Sequence, residues 1–190
     1  MKKHTWLLAA LVGAVGLVAA VLLLIRRAPV EQSTVIDLVD RFPEADKRTS
    51  AGSLHEAFAV QDVTIHGETK RSIFALPPSR IIWKVDVPAG AVLETSFGMR
   101  EDSWTVDGDG ATFRVGISDG QRFQDFARRW LDPFHRKEDR GWFPVRVDLA
   151  PYAGRHIEVI FNTEPNFNSI HDAAVWGAPR IVVPPPAAAR

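Results

Sequence analysis

Residues 116–120 read Gly-Ile-Ser-Asp-Gly, a match to the G-x-S-x-G pattern that marks the nucleophile elbow of serine hydrolases. The chemistry would be attack by the Ser118 hydroxyl, supported by an acid and a histidine later in the chain. Asp148 or Asp172 and His156 or His171 stand in that order. A second group, Asp107-Gly108-Asp109-Gly110, places two carboxylates where a calcium loop would use them. A third is "REDSWTVDGDG", in which Trp104 sits among Arg100, Glu101, Asp102 and Asp107. A loop-borne aromatic beside charged groups suits stacking on a sugar face while the polar groups meet hydroxyls.

Weighed against the residues around them, the first two patterns lose force. An elbow needs a strand-to-helix turn on an α/β sheet, and no βαβ alternation surrounds Ser118. Asp119-Gly120 between two apolar runs is a hairpin signal, so Ser118 is assigned to a turn. An EF-hand fails on spacing: with Asp107 and Asp109 as the third and fifth ligands, the first falls on Thr105 and the twelfth on Gly116. An irregular calcium site through Asp107 or Asp109 stays open, and none is assigned. No H-E-x-x-H or other zinc spacing occurs, and His171-Asp172 reads as loop polarity. The sequence therefore assigns no catalytic residue, no cofactor and no metal. Trp104 with Arg100 and Asp102 is the first choice for binding sugar, and Trp130 and Trp142, which bracket the charged "HRKEDR", are the second.

The elements that must position these residues are strands. In "RIIWKVDVP" Ile81, Trp83, Val85 and Val87 share one face, and "FPVRVDL" and "HIEVIFN" repeat the alternation. Further strands are expected at 58–65, 72–76, 92–99, 111–118 and 176–183. "QRFQDFARRWL" is ambiguous between helix and strand and is read as an irregular strand. Pro88-Ala89-Gly90, Asp107-Gly108, Asp119-Gly120 and Ala153-Gly154 punctuate the strands as turns. Many short strands at regular spacing imply an all-β sandwich or barrel.

The chain has 190 residues, enough for one domain plus an appendage. Acidic and basic residues balance at 23 each, so no global field recruits nucleic acid. With no cysteine, disulfides, thiolate metal sites and a cysteine nucleophile are excluded. Residues 6–25 carry no charge and are closed by Arg26-Arg27. Twenty such residues span roughly 30 Å as a helix, the thickness of a bilayer's hydrocarbon core. The expectation is an uncleaved transmembrane anchor over 1–27, in contact with membrane lipid, with the large domain outside the cytoplasm. A stalk is expected over 28–56, with 35–42 as a short helical or extended piece. The sandwich is placed at 57–183 and a solvated tail at 184–190.

The segment "WFPVRVDLAPYAGRHIEVIFNTEPN" followed by "HDAAVWGAPRIVV" resembles the C-terminal half of galactose-binding-domain-like jelly rolls, the β-sandwiches of many carbohydrate-binding modules. The likeness rests on Trp142-Phe143, Val147-Asp148-Leu149, the turn at Gly154, the apolar strand 157–161, and Trp176-Gly177 with Pro179-Arg180-Ile181. The upstream "RSIFALPPSRIIWKVDVPAGAVLETSFGM" is similar to the first half of the same fold. Such domains accompany bacterial sulfatases and membrane glycosyltransferases. The resemblance implies a jelly-roll β-sandwich that binds glycan or envelope polysaccharide and is not itself an enzyme. The alternative partner is a membrane enzyme or envelope assembly contacted through the sandwich, without a sugar site.

Overall fold

The computed structural model describes residues 33–184, and these form two antiparallel sheets packed face to face. In chain order the strands are β1 (Ser33–Asp37), β2 (Asp46–Thr49), β3 (Phe58–Ile65), β4 (Glu68–Ala75), β5 (Ser79–Asp86), β6 (Val92–Met99), β7 (Ala111–Ser118), β8 (Phe123–Leu131), β9 (Phe143–Asp148), β10 (His156–Pro165) and β11 (Ala174–Val183). One sheet runs β3-β4-β11-β6-β9, with β1 also paired to β11; the other runs β2-β5-β10-β7-β8. Short 3-10 turns and one four-residue helix, α1 (Leu54–Ala57), connect them. The all-β sandwich expected from alternation is present.

Alternation decides which side chains meet between the sheets. Ile81, Trp83 and Val85 of β5, Phe113, Val115 and Ile117 of β7, and Phe161 of β10 are at most 2% exposed and face Leu93, Phe97 and Trp176 from the other sheet. The centre is an aromatic chain. Trp83 meets Phe161 edge-on at 5.1 Å, Phe161 meets Trp176 at 4.4 Å, and Trp176 meets Phe113 at 5.2 Å. Phe113 then stacks on Phe97 at 4.8 Å. The indole N–H of Trp176 donates to Thr163 Oγ1, so this large ring is buried without an orphaned donor.

The expected stalk is corrected over its described part, residues 33–56. β1 pairs with β11 and β2 with β5, so both belong to the sandwich. Leu38 and Val39, between them, are buried in the core, and Leu38 N–H donates to Pro179 O. These two strands are short and polar, "STVID" and "DKRT", because each lies at a sheet margin and needs apolar residues on no more than one face. Period-two alternation is therefore too weak in them to be read. The expected anchor over 1–27 and the tail from 185 onward lie outside the described residues. Among the described residues no helix is long and apolar enough to cross a membrane.

Ser118 closes β7, and Asp119 to Arg122 turn the chain into β8, with Asp119 N–H donating to Arg122 O. The hairpin reading holds. Its paired strand is "FQDFARRWL", irregular as expected, with a register shift between Val115 and Gly116 of β7.

Candidate functional site

At one end of the sandwich three loops come together: 100–110 from β6 to β7, 132–142 from β8 to β9, and 166–173 from β10 to β11. The five sugar-binding candidates all lie on or beside these loops, but in two separate groups.

Trp104, Trp142, Arg100 and Asp102 form the first group, on the outer side of the β6–β11 sheet. Trp104 ends a 3-10 turn, Glu101–Trp104, that follows β6 directly. Its ring is half-buried against Val63, Ile65 and Val175, and its indole N–H donates to Met99 O. The His66 ring lies 5.1 Å away, and the Arg140 guanidinium 5.7 Å over the ring. Trp142 lies across Gly98 and Gly177, where a Cβ would stand 3.4 Å and 2.7 Å from its ring. Its indole N–H donates to Glu68 O, and Lys70 Nζ stands 5.6 Å over the ring. The two tryptophans thus pack the tip of the β3–β4 hairpin onto the sheet. Arg100 and Asp102 pair with one another and line a shallow polar groove of about 320 Å³ with Gln61, Asp62 and Thr64.

Trp130 belongs to the second group. It sits near the end of β8, 38% exposed, with its indole N–H on Asp109 O and the Arg136 guanidinium 5.3 Å over its ring. Asp109 Oδ2 accepts the backbone N–H groups of Phe167 and Asn168 and the Asn168 side-chain amide. Asp109 therefore fixes Trp130 and the 166–173 loop together. That loop holds Phe167 at 88% exposure and Ile170 at 62%, large apolar side chains that no core claims. Sequence reasoning passed over both, because "PNFNSI" offers neither period; an aromatic between two asparagines in a loop was the available signal.

Beneath this rim lies Asp172. Read in the sequence with His171 as loop polarity, it is corrected here: Asp172 is 1% exposed while His171 is at the surface. His171 adopts φ 64° and its Nδ1 meets Asp107 O, which turns the chain so that the next side chain points inward. Burial, and after it the charge of Asp109, pushes the Asp172 carboxyl up to about 7. The Gly110 backbone N–H, directed at the carboxyl, offsets part of this. The other acid in the region, Asp132, is satisfied by the His135 backbone N–H and ring. Among the described residues no three acidic or histidine side chains gather as a metal cluster.

No family model matches the chain. A curated relative, an uncharacterised protein of Archaeoglobus fulgidus, is 36% identical over 127 residues, covering 62% of this chain and 32% of the relative. The chain thus spans about a third of that relative's length. Among solved structures, the CBM51-2 and INT domains of Clostridium perfringens ZmpB share the fold with a TM-score of 0.53 at 14% identity, over 72% of this chain and 29% of that one. The same domains in complex with GlcNAc give 0.52 at 15% identity, with the same coverage. The domain therefore shares the β-sandwich fold of those CBM51-2 structures. The galactose-binding-like resemblance read from "WFPVRVDL" and "HDAAVWGAPRIVV" is shown at the level of fold.

Proposed function

We propose that this chain is a glycan-binding module whose platform is the loop end bearing Trp130, Phe167 and Ile170. The observation that carries the reading is the exposure of Phe167 and Trp130 on one rim, both fixed by Asp109. Sugars lay their C–H faces on aromatic rings, and Asn168, His171 and Arg136 supply polar groups at the same rim. Support comes from the shared sandwich fold and from a solved neighbour that was obtained with GlcNAc. The module binds rather than reacts. In this reading the apolar run 6–25 anchors it to a membrane, with the sandwich outside the cytoplasm.

The test is a glycan array with the full-length chain in detergent, then affinity measurements on Phe167→Ala and Trp130→Ala. Each substitution should weaken binding about tenfold, the loss of on the order of 1.4 kcal/mol, with little change in melting temperature. No retained glycan, or unchanged affinity in both variants, defeats the reading. Carbonate extraction tests the anchor, which fails if the chain is released.

A further inference from the structure

Ile81, Phe161 and Phe113 face the core from β5, β10 and β7, so their neighbours Arg80, Asn162 and Arg114 point outward. The strand register sets these three in one row. Arg48 of β2 stands opposite Arg80, and Arg80 opposite Asn162. Asn162 then stands opposite Arg114, and Arg114 opposite Arg128 of β8. With strands about 4.8 Å apart, four arginines and one asparagine cross the whole sheet in roughly 19 Å.

Two of these pairs, Arg48 with Arg80 and Arg114 with Arg128, set like charges directly opposite, which destabilises a sheet unless anions answer them. The protein answers only part of the row. Arg48 pairs with Asp46 at 2.6 Å, and Arg114 with Asp125 and Glu164, each at 2.8 Å. Arg80 donates through Nε to Asn162 Oδ1, and no carboxylate of the described residues pairs with it or with Arg128, both exposed. Aromatic rings border the row on both sides. Phe123, 48% exposed, lies across Gly116, where a Cβ would stand 2.5 Å from its ring. Trp130 stands opposite Thr112, two residues along β8 from Arg128 and on the same face.

We infer that this outer face is a second binding surface, which takes a linear acidic glycan with its carboxylate or sulfate groups on Arg80 and Arg128. That the ligand is a glycan rests on the reading above; its negative charge follows from the row itself. A guanidinium meets such oxyanions through two parallel N–H donors. Asp46, Asp125 and Glu164 each engage their arginine through one oxygen, which leaves the other to accept a sugar hydroxyl. The same three carboxylates repel the unbroken phosphate charge of a nucleic acid and break up the basic patch that a bilayer surface requires. Phe123 and Trp130 offer rings for sugar C–H faces.

Binding of the full-length chain, in non-ionic detergent, to polygalacturonate, dextran sulfate and uncharged dextran tests this. One polyanion or both should bind and weaken as salt rises, the tighter naming the acid group, and dextran should bind about tenfold less well. Arg80→Gln and Arg128→Gln should each cut polyanion affinity about threefold, and together about tenfold, with the melting temperature kept. Arg146→Gln, on the outer face of the other sheet, removes the same charge and should keep the affinity. No polyanion binding, a loss in Arg146→Gln equal to that in the row, or equal affinity for single-stranded DNA overturns the proposal. Rim and row fail separately: the rim on Phe167→Ala with a neutral glycan from the array, the row on Arg80→Gln and Arg128→Gln with the polyanion.

Discussion

Asp109-Gly110 and Asp119-Gly120 stand at opposite ends of β7, eight residues and roughly 26 Å apart along the strand. Both glycines have positive φ, 77° and 85°, and each aspartate accepts backbone N–H groups, Asp119 from the residues just after it and Asp109 from Phe167 and Asn168 of a distant loop. At Asp119 both oxygens are satisfied, one within the turn and the other by a distant arginine. Oδ1 accepts Gln121 and Arg122 backbone N–H groups, and Oδ2 accepts the Arg155 guanidinium. These contacts, the Arg122 amide foremost, hold the Asp119 carboxyl at about 2. At Asp109 one oxygen is saturated and the other is buried beside a second orphaned acid. The turn that reverses the chain is satisfied by its own amides and one arginine, whereas at the rim end buried carboxylate oxygens are left without a side-chain partner.

The largest effect that would sharpen this contrast is at the glycines. A Cβ on Gly110 would fall on the Leu131 carbonyl oxygen, whereas one on Gly120 meets nothing within 4 Å. Gly110→Ala should therefore cost on the order of 3 kcal/mol or more, combining the clash with backbone strain, and Gly120→Ala about 1 kcal/mol from strain alone. Denaturant unfolding of both variants measures this, and equal costs would break the contrast.

Next in size is a pair of tryptophans. Trp104→Ala removes a half-buried ring and its hydrogen bond to Met99 O, so about 2–3 kcal/mol of stability should go. Trp130→Ala should cost about 1 kcal/mol or less, since its ring is 38% exposed on an edge strand. A reversed order would move the rim assignment from Trp130 to Trp104.

The smallest effect is the acid limb at Asp119. Its folded pKa lies below the ordinary 3.8, so its stabilisation is complete above about pH 4 and fades as pH falls through about 2. Asp119→Asn should flatten that part of the stability–pH curve and leave neutral pH little changed. A curve identical to wild type between pH 4 and 2 would show that the turn does not depend on the charge.

Much of the fold was legible because local chemistry repeats along it. β3, β6 and β7 fall on their expected residues, and Trp83 stands in phase with Ile81 and Val85 on the buried face of β5. The Asp119-Gly120 hairpin was legible because Asp119 Oδ1 meets the Gln121 and Arg122 amides two and three residues on. β1 and β2 were hidden, because what makes them strands is an edge supplied by β11 and β5.

The site was less legible. "SWTVD" suggests an exposed tryptophan, yet Val63, Ile65 and Val175 arrive from β3 and β11 to half-bury it. Asp172 looks like any loop acid until the loop folds inward and sets it against Asp109, 63 residues earlier in the chain. Sequence by itself determined the sandwich, its main strands and its self-sufficient turns, through alternation and short-range hydrogen bonding. Only the tertiary structure decided which tryptophans are covered, which apolar residues stay in water and which acids share one enclosed space, because burial and charge coupling depend on residues far apart in the chain.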